Sequence, residues 1–173
     1  MAHRFGDSAR GEGDTFLKGG RMRLGAHMSI SGGIEKAVVR GQEVGCEALQ
    51  IFTKNSNQWK AMPLTSTEVT AFRDACQAAG IGPVIAHSAY LINLAAADEA
   101  LYEKSIQAFL DELQRCELLG IPYLVVHPGA HMGAGEEQGL RRISIAIDRI
   151  HRETQRLYPH RHLVEGPLFC MAA

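Results

Sequence analysis

The sequence predicts an α/β fold: a parallel sheet with a helix after each strand, arranged as an incomplete TIM (β/α)8 barrel of about four βα units plus a candidate fifth strand. Three observations carry that expectation. Short apolar runs alternate with stretches of helical periodicity along the 173 residues. The runs are apolar throughout rather than at alternate positions, as in strands covered on both faces. Polar residues collect where the runs end. The background is ordinary for a globular chain, with 46% hydrophobic and 21% charged residues and 18 basic against 19 acidic side chains. That balance excludes disordered, collagen-like and strongly basic chains. It leaves room for a local basic groove.

Residues 1–21 mix glycine with charges of both signs and show no apolar periodicity. They are expected to form a disordered extension. They lack the apolar stretch of a signal peptide, and Asp7, Glu12 and Asp14 argue against a transit peptide. Met22 leads directly into the first strand candidate, LGAH at 24–27, and reads as an original start. Ser31 is the expected N-cap of a helix carrying Ile34, Ala37, Val38, Gly41 and Val44. Ala48–Phe52 is the second strand. Thr65-Ser66-Thr67-Glu68 has capping-box form, ahead of a helix with Val69, Phe72, Cys76 and Ala79 on one face. Val84–His87 is the third strand. A longer helix starts near Asp98, turns Ile106, Phe109, Leu110, Leu113 and Cys116 inward, and ends at Gly120. Tyr123–His127 is the fourth strand, and Leu140, Ile143, Ile147, Ile150 and Leu157 mark the fourth helix. His162–Glu165 is the fifth strand candidate, so the barrel portion is expected over 22–165 and an irregular tail over 166–173.

Strand and helix in strict alternation give right-handed βαβ units, in a doubly wound sheet or a barrel. Ser29-Ile30-Ser31-Gly32-Gly33 has neither G-x-G-x-x-G nor a phosphate-loop lysine. The polar residues His27, Thr53-Lys54-Asn55, His87 and His127 instead stand at the carboxyl ends of successive strands, where barrel active sites lie. A complete barrel takes roughly 250 residues. The expectation is therefore either a four-unit fold that pairs with its own copy or a chain that stops partway, and the loss of pattern after Pro159 favours the latter. No apolar run approaches the roughly 18 residues of a membrane span. Cys46, Cys76, Cys116 and Cys170 lie far apart without a C-x-x-C pair, the pattern of reduced thiols in a cytoplasmic chain.

His87 closes VIAH and His127 closes LVVH. Imidazoles at the ends of two buried strands converge above a barrel mouth, as a catalytic zinc requires. Glu165 in HLVEG stands where a carboxylate would complete a two-histidine, one-carboxylate set. The bland alternative is a pair of satisfied polar residues at strand ends. His131, His151, His160 and His162 read as surface or loop residues.

GAHMSISGG (25–33), FTKNSNQW (52–59), HSAYLINL (87–94), QRCELLG (114–120) and VVHPGAH (125–131) together resemble endonuclease IV. These are the zinc-dependent apurinic/apyrimidinic endonucleases of DNA base-excision repair, also called deoxyribonuclease IV. The resemblance runs from about Arg23 to about Tyr158. It implies a TIM barrel with three zinc ions at its mouth, with His87 and His127 matching two ligand positions and Glu165 the candidate for a bridging one. Glu165 is followed by Gly166-Pro167-Leu168-Phe169, which departs from the family's context. The family's further ligands have no counterpart here, so at most one zinc is expected.

The resemblance also implies contacts to double-stranded DNA at abasic sites from Lys54, Asn55, Asn57 and Gln58 after the second strand and from Tyr90 and Leu91 after the third. In the family these loops enter the minor groove, kink the duplex and help to flip the nucleotide. Lys54 would meet a phosphate. Trp59 reads rather as cover for the barrel rim, and Arg141, Arg142, Arg149, Arg152 and Arg156 suit a solvated helix face as well as DNA. The implied reaction hydrolyses the phosphodiester 5′ to the abasic site. Two alternatives remain at this point: a metal-dependent sugar isomerase or epimerase on a related barrel, and a non-catalytic truncated remnant. An open barrel edge further implies self-association.

Overall fold

The computed structural model describes residues 22–157, with side chains to residue 155. Its elements are β1 (Gly25–His27), α1 (Glu35–Glu43), β2 (Ala48–Phe52), α2 (Ser66–Ala79), β3 (Val84–His87), α3 (Glu99–Leu119), β4 (Tyr123–Val125) and α4 (Glu136–Leu157). The four strands form one sheet in the order β1-β2-β3-β4, every neighbouring pair parallel. Sequential parallel strands with a helix between each pair are the expected βα units of a barrel. The fifth strand candidate and Glu165 lie outside the described residues, as do the 1–21 extension and the 166–173 tail.

The local signals explain most boundaries. Thr65 closes a capping box: its hydroxyl accepts from the Glu68 amide while the Glu68 carboxylate accepts from the Thr65 amide. Asp98 caps α3 by accepting from the Leu101 amide at 2.7 Å, and Gly120 ends it in the left-handed conformation. The expectation for Ser31 is corrected. Helix α1 starts later, after a turn with Gly32 and Gly33 at positive φ, and Ile34 occupies its N-cap position without a side-chain cap. The Ser31 carbonyl accepts from Arg40 instead, at 2.8 Å.

The core lies between the sheet and its helices, with Leu49, Ile51, Phe72, Ile106, Val126 and Ile150 nearly inaccessible. The expected burial on both faces is nearest to complete in β3; β2 alternates buried and half-buried residues, and the three residues of β1 are exposed. Among the described residues β1 has a partner on one side only, which leaves that edge open. Helices α3 and α4 are stitched together by Arg142 with Glu99 at 2.8 Å, by Arg149 with Glu103, and by the Tyr102 hydroxyl donating to the Arg142 carbonyl. Arg142 also stacks over the Tyr102 ring at 3.8 Å. These two arginines serve helix packing rather than a solvated face. Among the described residues no helix is long and apolar enough to cross a membrane.

Candidate functional site

The carboxyl ends of β1, β3 and β4 bring three imidazoles into one row. The His87 and His127 ring centroids lie 5.2 Å apart, and those of His27 and His87 lie 6.2 Å apart. Parallel pairing sets this arrangement, because Phe52 is in register with His87 and His87 with Val125, two residues before His127. Phe52 packs edge-on to His87 at 5.3 Å, and Tyr90 lies 5.5 Å from the same ring. His87 is 8% exposed, whereas His27 and His127 are open to solvent.

The hydrogen bonds of His87 define its chemistry. Its Nδ1 lies 2.8 Å from the Ser88 carbonyl oxygen, which can only accept, so Nδ1 carries the proton and the lone pair sits on Nε2. Desolvation holds the imidazole below the usual histidine range. The Ser88 carbonyl opposes that shift, and charge on His127 and His27 reinforces it. A neutral ring with one nitrogen committed to a carbonyl is the form in which histidine binds metals. His87 and His127 are two imidazole donors of the kind a zinc ion takes, but among the described residues no group of three or more His, Cys, Asp or Glu is placed to hold one.

The loops beside this row carry the other expected residues. Asn55, Asn57 and Gln58 are exposed or nearly so, and the Asn55 side chain turns the loop by accepting from the Asn57 amide at 3.0 Å. Tyr90 is 62% exposed, Leu91 is half-buried, and the Tyr90 amide donates to the Ser56 carbonyl, tying the two loops together. Gly129 sits at φ +110°, where a Cβ would come within 2.0 Å of Asn93 Oδ1. Asn93 uses that atom and its Nδ2 to hold Ala130, joining the loops after β3 and β4. Trp59 is half-buried against the core, with the Lys104 ammonium 4.3 Å above its ring, as rim cover would require.

Lys54 corrects the sequence expectation. Its side chain is 1% exposed and its ammonium points inward, 2.6 Å from Asp111 Oδ2 and 3.6 Å from Glu112 Oε1. It cannot present that charge to a phosphate from this position. The residues that receive it carry no expectation from the sequence. Glu112 accepts from Thr53 Oγ1 at 2.5 Å and from the Ala89 amide at 3.2 Å, and Arg115 donates twice to the Thr53 carbonyl. A signal existed: Glu112 falls between Phe109 and Cys116 on the inward stripe of α3, where a charge needs a partner. His27 was legible as a strand-end polar residue, but its pairing with Gln50 Oε1 at 3.1 Å was not.

Residues 38–160 match the family model described as xylose isomerase-like TIM barrel. The chain belongs to this family. Curated relatives carry the name probable endonuclease 4. The protein from Chloroflexus aurantiacus (strain J-10-fl) is 59% identical over 128 residues, covering 74% of this chain and 45% of its own. That from Geobacter sulfurreducens is 54% identical over 127 residues, covering 73% and 43%. The chain thus spans under half the length of these family members. The crystal structure of endonuclease IV from Thermus thermophilus aligns with a TM-score of 0.68 at 36% identity, over 81% of this chain and 48% of that one. A D-psicose 3-epimerase from Clostridium cellulolyticum aligns with a TM-score of 0.59 over 78% and 49%, but at 11% identity it shares the fold alone. The resemblance to endonuclease IV, over part of its length, is borne out.

Proposed function

We propose that this chain supplies the first half-barrel of a zinc-dependent endonuclease that hydrolyses DNA on the 5′ side of abasic sites, in the cytoplasm. The observation that carries the reading is the convergence of His87 and His127 at the strand ends, 5.2 Å apart between ring centroids. Relatives named endonuclease 4 at 54% and 59% identity support it.

His87 through Nε2 and His127 would hold the metal, and Glu165, outside the described residues, is the proposed third ligand. A bound zinc supplies Lewis-acid polarisation of a phosphate oxygen and a water acidified enough to attack it. The chain's own residues do the rest. Burial favours the neutral form of His87, and the Ser88 carbonyl holds its proton on Nδ1, which leaves the lone pair on Nε2. Asn55, Asn57 and Gln58 offer amide groups to the DNA backbone and groove. Tyr90 and Leu91 form an aromatic-aliphatic wedge on the neighbouring loop, a device that unstacks and bends a duplex. Lys54 contributes by holding its loop against α3, not by touching DNA.

The test is nicking of a duplex that carries one abasic analogue, with and without a strong zinc chelator. A polypeptide joining this chain to the second half-barrel of a relative is expected to nick, and the chelator to stop it. The 173-residue chain alone is expected to nick at a negligible rate. With one metal it cannot stabilise both the attacking and the leaving oxygen, and losing a single preorganised contributor already costs roughly 10²–10³ in rate. Epimerisation of a ketose by the joined protein, without nicking, overturns the assignment. Chelator-sensitive nicking by the short chain shows that the first half-barrel suffices.

A further inference from the structure

The buried carboxylate of Glu112 ties α3 to the chain just after β2 and β3. It is 1% exposed on the inward face of α3, where a charge needs partners. Its partners show where its influence goes. Oε1 accepts from the Ala89 amide at 3.2 Å, with the Lys54 ammonium 3.6 Å away, and Oε2 accepts from Thr53 Oγ1 at 2.5 Å. The Ala89 amide belongs to the same peptide group as the Ser88 carbonyl, and that carbonyl accepts from His87 Nδ1 at 2.8 Å. A continuous line therefore runs from carboxylate to peptide N–H, through the peptide to its C=O, and on to the imidazole N–H.

We propose that Glu112 is a positioning residue for His87, acting through the Ser88–Ala89 peptide group. An anion at the N–H end of a peptide polarises it and makes its carbonyl oxygen a stronger acceptor, as successive hydrogen bonds reinforce one another. The stronger acceptor holds the proton on Nδ1, fixes the ring plane and leaves the lone pair on Nε2. Metal-binding histidines commonly donate to a carboxylate or a carbonyl. Here both are used in series, the carboxylate standing one peptide behind the carbonyl. Thr53 and Lys54 keep the carboxylate in place, so the end of β2 also contributes to the setting of a histidine on β3. The value of this device rests on the reading of His87 as a metal ligand, but the tautomer it imposes exists without metal.

The experiment uses the whole chain, labelled with ¹⁵N and free of metal. Long-range proton–nitrogen correlations of the His87 ring report which nitrogen carries the proton at mildly alkaline pH. The wild type is expected to show a protonated Nδ1 and a bare Nε2. Glu112→Gln retains an oxygen acceptor for the Ala89 amide and is expected to keep that tautomer, with zinc affinity falling less than in Glu112→Ala. Glu112→Ala is expected to give mixed tautomers and zinc binding weaker by roughly 10–100-fold, the usual range for removal of a group behind a metal ligand.

A wild-type His87 protonated on Nε2 overturns the proposal without any variant. So does a folded Glu112→Ala with wild-type tautomer and zinc affinity. If Glu112→Ala does not fold, the wild-type and Glu112→Gln spectra decide, both being required to show Nδ1–H. Failure of the wild type to bind zinc, or of the joined barrel to nick DNA, sinks the nuclease reading alone and leaves the tautomer result to decide this one.

Discussion

His87 and His127 were legible as a pair because each ends an apolar run, and parallel register turns equivalent strand ends into neighbours in space. Their proposed role as metal ligands gives a first expectation. Zinc retained by the chain after dialysis should not exceed one per molecule, and the His87→Ala/His127→Ala double variant should retain none. Metal analysis measures both, and three tightly held zincs or an unchanged content in the variant would defeat the assignment. The inward turn of Lys54 was not legible, because loop position says nothing about which way a long, flexible stem points. Its partners Asp111 and Glu112 lie far along the chain, on α3, and no local pattern couples them. The cysteines allow a second expectation. Burial pushes the Cys76 thiol up to about 11, and burial also raises that of Cys116. A thiol whose pKa lies about three units above the pH is ionised in roughly one molecule per thousand, and the thiolate is the reactive form. Iodoacetamide at mildly alkaline pH should leave both unlabelled in the folded chain and label both in denaturant, as peptide mass mapping would show. Equal labelling rates in the two conditions would contradict their placement.

At the scale of elements, helix ends that are set by local chemistry were readable and those set by the chain's route were not. Thr65 and Glu68 form a reciprocal cap that needs only four consecutive residues, and Asp98 and Gly120 bound α3 for equally local reasons. Helix α1 starts past Ser31 because two glycines at positive φ redirect the backbone first, and a serine before glycines does not say how far that turn extends. The cap of α2 supports a stability prediction. Thr65→Ala removes the acceptor for the Glu68 amide and should cost about 1 kcal/mol in denaturant unfolding. Glu68 adds a pH dependence. Its carboxyl is held below 4.5, first by the Thr65 backbone amide and then by the Thr65 hydroxyl. A depressed carboxyl stabilises the fold fully above its unfolded pKa and loses that contribution as pH falls through its folded value. Glu68→Gln should therefore be the less stable protein at neutral pH, with the gap closing below pH 4.5. A gap constant across that range would show that the carboxylate charge contributes nothing to the cap.

For the whole molecule, alternation of strand and helix revealed the parallel sheet, but not which strands would be left at its margins. Among the described residues β1 pairs only with β2, so its other side has no strand partner there. The β1 margin is also apolar: Met22 is 79% and Leu24 66% exposed. Open edges recruit strands from other chains unless inward charges or a covering element protect them. Apolar surface beside such an edge adds a driving force of about 25 cal/mol per Å² covered. The ordering cost of residues already held in the sheet is small, so pairing with a second copy meets little opposition from chain entropy. The 173-residue chain should thus elute as a dimer or larger species in size exclusion, and its apparent size should fall on dilution. Replacing Leu24 by Lys places a charge next to the β1 edge and should shift the population toward monomer while leaving the helical signal in circular dichroism unchanged. A sharp, concentration-independent monomer peak with a single cooperative unfolding transition would show instead that the four units satisfy their own edges.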